Sequence, residues 1–207
     1  MAVKRGKIDT FKSRVRKDFA RPNLFEVELN FPGAIAKGAE AARLGAFTVR
    51  AANLPSSQIG VVEVPFRGRV LKIAGDRTFE PWTITIMNDS EFRLRKIFEK
   101  WAAKIQWYNE NYTAAGSLGN PTDTAGYFAD MYVHQLSRDM REGKKPSVIR
   151  SYKFVDVFPS NISSIDLDFG NNDAIEEFTV ELQVQYWKPD RGGSNERNQV
   201  DDEEIED

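Results

Sequence analysis

Apolar and polar positions alternate along most of this chain. From Asn23 to Phe31, residues Phe25, Val27, Leu29 and Phe31 alternate with Glu26, Glu28 and Asn30, the period of a half-buried strand. Trp82–Met87 repeats the pattern, with Trp82, Ile84 and Ile86 on one side and Thr83 and Thr85 on the other. Glu177–Trp187 is the clearest case: Phe178, Val180, Leu182, Val184 and Tyr186 oppose Thr179, Glu181, Gln183 and Gln185. Further strands are expected at Ala46–Ala51, Gln58–Val64, Arg69–Ile73, Met131–Leu136, Val148–Val157 and Ile165–Phe169. Asn53–Ser57, Ala74–Arg77 and Gly170–Asp173 read as turns. Pro81 has no N–H to donate, so it belongs at the start of a strand or at an edge.

The helical period is clear once. Leu94, Ile97, Phe98, Trp101 and Ile105 form one apolar stripe. Asn88 is the expected cap, with Glu91 three positions on as in a capping box. Ile8, Phe11, Val15 and Phe19 repeat the spacing weakly in a basic arm. Gln106–Ala129, rich in Asn, Gly, Thr and Tyr, reads as a long loop. About eight strands and one flanking helix predict a mainly β fold, a sandwich or barrel-like domain. Such a domain keeps exposed sheet edges unless it closes or finds partners.

Charge adds a division into segments. Residues 1–21 hold eight Lys/Arg and two acids, and residues 188–207 hold three Lys/Arg and eight acids, within a chain of net charge -2. The expected organisation is a basic arm at 1–21, a β domain at 22–187 and an acidic, disordered tail at 188–207. The stretches 32–45 and 106–129 are expected to be inserted loops. The two charged ends suit pairing between neighbouring subunits, or separate solvation.

Little chemistry emerges. The chain has no cysteine and one histidine, which excludes disulfides and thiolate metal sites and disfavours a histidine-based one. No apolar run approaches the roughly 18 residues of a membrane span. Phosphate-binding glycine loops and nucleophile motifs are absent from the sequence. The pairs Glu26/Glu28 and Asp166/Asp168 occupy the polar half of alternating segments and read as solvated faces. His134, with Asp130 and Asp139 nearby in sequence, reads as an ordinary strand histidine. Arg67, Arg69 and Lys72 form a diffuse basic patch. No catalytic, metal or cofactor site is expected.

Four blocks carry a resemblance. They are Asp18-Phe19-Ala20-Arg21-Pro22-Asn23-Leu24-Phe25; Ala74–Phe79 followed by Trp82–Asp89; Phe158-Pro159-Ser160-Asn161-Ile162; and Phe178–Val180 running on to Tyr186-Trp187. In this order, from about residue 18 to 187, they resemble the tail tube proteins of contractile-tailed, T-even-like bacteriophages. The stretches 32–45, 106–126 and the acidic tail fall outside the resemblance.

The resemblance implies a structural subunit of the virion tail, assembled in the host cytoplasm, and not an enzyme. Hexameric rings would stack into a hollow tube, with strands of six subunits joining one continuous barrel. Its partners would be other copies of itself, a sheath protein outside, a tape-measure protein and then DNA inside, and a baseplate protein that initiates the tube; no membrane is bound. The tube of a type VI-like secretion or other contractile injection system is a related alternative. A nucleic-acid-binding module using the basic arm is an alternative of another class.

Two candidate surfaces follow. Asn53, Leu54, Pro55, Ser56, Gln58, Val61, Glu63, Pro65 and Arg67 are expected in the loop that reaches an adjacent ring. A lumen that passes DNA without retaining it should lack Lys/Arg contacts to phosphate. Thr83, Thr85, Thr179, Glu181, Gln183 and Gln185 are the lining candidates.

Overall fold

A computed structural model of the chain describes residues 19–33, 35–109, 126–138 and 147–190, together with Ile8, Phe11 and Lys12. Most of the basic arm, most of the 106–129 stretch, Asp139 and the tail beyond Asp190 lie outside the described residues. The strands are β1 (Phe25–Glu28), β2 (Val49–Ala52), β3 (Ser57–Phe66), β4 (Arg69–Phe79), β5 (Trp82–Met87), β6 (Ala129–Leu136), β7 (Val148–Ile162), β8 (Glu177–Gln183) and β9 (Tyr186–Asp190). Two helices accompany them, α1 (Gly38–Thr48) and α2 (Arg93–Ile105).

Seven strands form one antiparallel sheet in the order β1-β6-β7-β8-β5-β2, with β9 also paired to β7. The sheet bends because β7 is long and serves two sets of neighbours. Its first part pairs with β6 and β9, and its last part, from Phe158, pairs with β8. Asp156, at the bulge just before the change of partner, takes φ 53°, a left-handed conformation that few residues other than glycine, asparagine and aspartate adopt. The facing chain interrupts its own ladder at the same level, between Gln183 and Tyr186. No single closed barrel forms within the described residues, and β1 and β2 end the sheet path.

The core fills the bend. Trp82, Ile84, Ile86, Phe178, Val180 and Leu182 supply one wall, and Val27, Met131, Val133 and Phe154 supply another. Trp82 stacks on Phe154 with centroids 4.1 Å apart. The stripe Leu94, Ile97, Phe98 and Trp101 of α2 closes the space. Each such side chain contributes about 1.5–3 kcal/mol of transfer free energy on burial. Trp101 also donates its indole N–H to the Tyr127 carbonyl at 2.7 Å, tying the end of the 106–129 stretch to the helix.

Several expectations are corrected. Among the described residues the domain carries two helices rather than one, because the 32–45 stretch contains most of α1. Its glycines mark contact: a Cβ on Gly45 would lie 2.6 Å from Leu29, and one on Gly38 would lie 2.9 Å from Phe31. The Ala46–Ala51 strand begins only at Val49. Asn88 does not cap α2. Its amide donates to Glu176 at 2.8 Å, while the Asp89 carboxylate accepts the Arg93 backbone N–H at 2.8 Å. Ile165–Phe169 is not a strand, so Asp166 and Asp168 share no strand face; the Asp168 carboxylate instead accepts the Gly170 N–H at 2.9 Å. Lys188–Asp190, placed in the tail, belong to β9, held beside β7. The turn expected at Ala74–Arg77 lies inside β4.

Candidate assembly surfaces

The β3–β4 hairpin is built unlike the rest of the domain. Arg67 and Gly68 both take positive φ, 46° and 82°, so a two-residue turn of the type that matches strand twist joins the arms. Gly60 faces a bulge around Gly75 and Asp76, where a Cβ on Gly75 would meet the Gly60 carbonyl at 3.2 Å. The arms pair from Ser57↔Phe79 to Phe66↔Arg69. Cross-strand partners share a face, so Val62, Ile73, Val64, Leu71 and Phe66 line one side, with Arg69 opposite Phe66 at the tip. Val61, Ala74, Glu63, Lys72, Pro65 and Val70 line the other, with Glu63 and Lys72 as an ion pair at 3.6 Å.

None of the described residues covers this apolar stripe. Val64 is 42% exposed and Phe66 66% exposed, with Val62, Leu71 and Ile73 between those values. Contiguous exposed apolar surface of this kind marks an interaction site. Among the described residues, the body holds only the base of the hairpin. Phe79 packs edge-on against Trp187 at 6.2 Å, and the Trp187 indole N–H donates to the Ser56 carbonyl at 3.1 Å.

The ring-contact candidates therefore divide. Asn53 accepts hydrogen bonds from the Thr83 N–H and the Trp82 indole, and Ser56 bonds Glu80; both anchor the base. Leu54 and Pro55 lie in the linker between β2 and β3, and Gln58 lies opposite Thr78. Val61, Glu63 and Pro65 lie on the mixed face, and Arg67 lies in the turn, its guanidinium 5.4 Å from the Phe66 ring centroid. The mainly apolar face, Val62, Val64, Phe66, Leu71 and Ile73 with Arg69 at its tip, was missed by a reading that treats the two arms as separate strands. The signal for it is present in the sequence: Arg67-Gly68 fixes the register, and the register collects these residues on one side.

The second surface is the outer face of β5 and β8. Thr83 stands opposite Glu181 and Thr85 opposite Thr179, with the two threonine hydroxyls 3.5 Å apart. Gln183 extends the row and reaches the Ser160 hydroxyl at 3.3 Å. Asn161 of β7 stands beside Glu181. Five of the six lining candidates thus share one polar surface without Lys or Arg on these positions. Gln185 does not join them, since it lies in the break between β8 and β9 and its N–H donates to the Val155 carbonyl at 3.2 Å.

Charged groups gather at the β7 bend and at the start of α2. Lys153 pairs with Asp130 at 2.7 Å, and that hydrogen bond raises its ammonium above the usual lysine range. Desolvation first, and the Asp130 charge second, push the Asp156 carboxyl above the usual aspartate range, with Lys153 offsetting part of this. Burial pushes Asp89 up, but hydrogen bonds and charge from Arg93 hold it lower on balance. His134 bonds Ser151 at 2.7 Å and approaches Glu28 at 3.6 Å, which occupies it in the β1–β6–β7 ladder.

The family model described as phage tail tube protein matches residues 20–189. The tail tube protein gp19 of Enterobacteria phage T4 is 31% identical over 171 residues, covering 83% of this chain and 92% of its own. The tail tube protein of Serratia phage KSP90 is 27% identical, covering 79% and 84%. Among solved structures, the sheath/tube terminator of an extracellular contractile injection system, PVC, superposes with a TM-score of 0.56 over 84% of this chain and 98% of its own, at 12% identity. That likeness extends the shared fold beyond recognisable sequence similarity.

Proposed function

Because this chain belongs to the phage tail tube protein family, and so is a structural, tube-forming subunit of the virion tail rather than an enzyme, we propose that it assembles into hexameric rings stacked as the conduit for DNA ejection. Rings close when copies meet head to tail around an axis, and axial contacts that never close let the rings stack. In this reading the open ends of the sheet path, β1 and β2, meet neighbouring copies within a ring, which removes free edges as barrel closure does. The hairpin reaches the adjacent ring. A lasting contact needs on the order of 800 Å² per partner, and the two arms supply a long apolar face toward it.

The polar face of Thr83, Thr85, Thr179, Glu181 and Gln183 lines the lumen. These positions offer hydrogen-bonding groups and a carboxylate but no cation, and Arg50 at the edge of the face is held by Glu177, so phosphate slides past. The tape-measure protein occupies the lumen before DNA. The helices, across the core from that face, look outward to the sheath, and a baseplate protein initiates the first ring.

The observation that carries this reading is the apolar stripe of the hairpin, which none of the described residues buries. Replacing residues 60–75 with a two-residue turn tests it. The shortened subunit should fold and should form no tubes by electron microscopy; tubes of ordinary length would overturn the assignment.

A further inference from the structure

The hairpin needs a receiving surface, and the 163–176 loop between β7 and β8 has its properties. Leu167 is 84% exposed and Phe169 fully exposed, and Ile175, later in the same loop, is exposed as well. Such side chains turn outward at a net cost unless something covers them. The loop also holds Asp166, Asp168, Asp173 and Glu176 and no Lys or Arg. The hairpin tip, residues 65–71, holds Arg67 and Arg69 and no acid, and Lys72 beside it is paired with Glu63. Apolar groups among carboxylates on one side meet apolar groups among cations on the other.

The two arise at opposite ends of one strand. The hairpin leads through Glu80 and Pro81 into Trp82, the first residue of β5, while the loop leads into Glu177, which stands opposite Met87 at the other end of that strand. The length of β5 separates the two roots by roughly 17 Å. Complementary patches rooted at opposite ends of one strand suit a head-to-tail contact that repeats without closing.

We propose that the acidic, apolar 163–176 loop of one copy receives the basic tip of the β3–β4 hairpin from a second copy in the adjacent ring. This rests on the stacking role given to the hairpin above and names the partner of that surface. Val64, Phe66 and Leu71 supply the apolar contact to Leu167 and Phe169. Arg67 and Arg69 face Asp166 and Asp168, which sets the polarity of stacking more than its strength.

The test reverses charge on each side. The loop variant Asp166→Lys with Asp168→Lys should fold and form rings, but its yield of tubes should fall at least about tenfold by sedimentation, the scale of a lost charge-complementary contact. Adding Arg67→Glu and Arg69→Glu to the same chain should restore tubes. Normal tubes from the loop variant, while the shortened hairpin abolishes them, would overturn the pairing and leave the hairpin's stacking role standing. Normal tubes from both would remove that role as well. A second measurement covers a loop variant that fails to fold. The chain has no cysteine, so Phe66→Cys with Leu167→Cys on one chain should give an oxidised ladder beyond the dimer. Neither single variant should exceed a dimer, and absence of the ladder from assembled tubes would sink the contact.

Discussion

The β3–β4 hairpin and the β5–β8 pair are both antiparallel, rich in Val and Ile, and regular in register over most of their length, yet they treat their apolar side chains in opposite ways. Ile84, Ile86, Phe178, Val180 and Leu182 are essentially inaccessible, whereas Val62, Val64, Phe66, Leu71 and Ile73 all stand in solvent. Local β propensity is satisfied equally in the two places, since it reflects a fit to a pleated surface rather than to a particular partner. The difference lies in where the covering surface comes from. For β5–β8 it is α2 and the bent half of the same sheet. For the hairpin, in the proposed assembly, it comes from another molecule.

Truncation separates these two roles most strongly. Phe178→Ala removes a ring buried to 1% exposure and should destabilise the subunit by about 3–5 kcal/mol, as aromatic-to-alanine changes in cores do. Val64→Ala in the hairpin should change subunit stability by less than about 0.5 kcal/mol while reducing tube assembly. Urea unfolding of unassembled subunits gives the first pair of values, and sedimentation of assembled material gives the second. Similar losses of stability in both variants would mean that the hairpin packs on its own domain, and the contrast would collapse.

Sequence patterning made the β5, β6, β7 and β8 segments and the α2 stripe legible because burial on one face imposes a period that survives in one dimension. It failed where the third dimension decides. Gly38 and Gly45 read as loop residues, but they let α1 approach Phe31 and Leu29, a requirement visible only once β1 lies beside the helix. Leu167 and Phe169 alternate with Asp166 and Asp168 like a strand, yet no described strand accepts a ladder from them. The Asp89 carboxylate rather than Asn88 accepts the Arg93 N–H at the start of α2, and the Asn88 amide N–H goes to Glu176. For the candidate surfaces, alternation grouped Thr83, Thr85, Thr179, Glu181 and Gln183 correctly on one face. It extended that face one strand residue too far, to Gln185, because the break at Val184–Gln185 follows the bend in β7.

The polar side of β5–β8 offers a subtler contrast with the basic hairpin tip. Thr83→Lys with Glu181→Lys places two cations where the lining reading requires none. Both positions are partly accessible, so folding and tube assembly should persist. Every additional phosphate neutralised steepens the salt dependence of DNA binding by roughly one unit of log–log slope. Tubes of the variant should therefore retain DNA at low salt and release it at high salt, measured by co-sedimentation of short duplexes. Binding no greater than that of the unaltered tube would place this face away from the lumen.

The smallest expected effect concerns the bend that gives β5–β8 the covering surface the hairpin lacks. Asp156 combines a left-handed backbone with a carboxyl whose affinity for a proton is raised by desolvation and by Asp130. A folded-state pKa above the unfolded one means that the native chain holds the proton more tightly. Stability from this group is then greatest below the ordinary aspartate value and declines as pH rises through the raised one. Asp156→Asn keeps a side chain that tolerates positive φ and removes the charge. The variant should melt slightly higher than the parent at neutral pH, with the gap narrowing on acidification toward the ordinary aspartate range. Thermal unfolding of subunits at several pH values reads the gap directly. A variant that melts lower at neutral pH would show that the Asp156 carboxylate, through Lys153, helps to hold the bend rather than straining it.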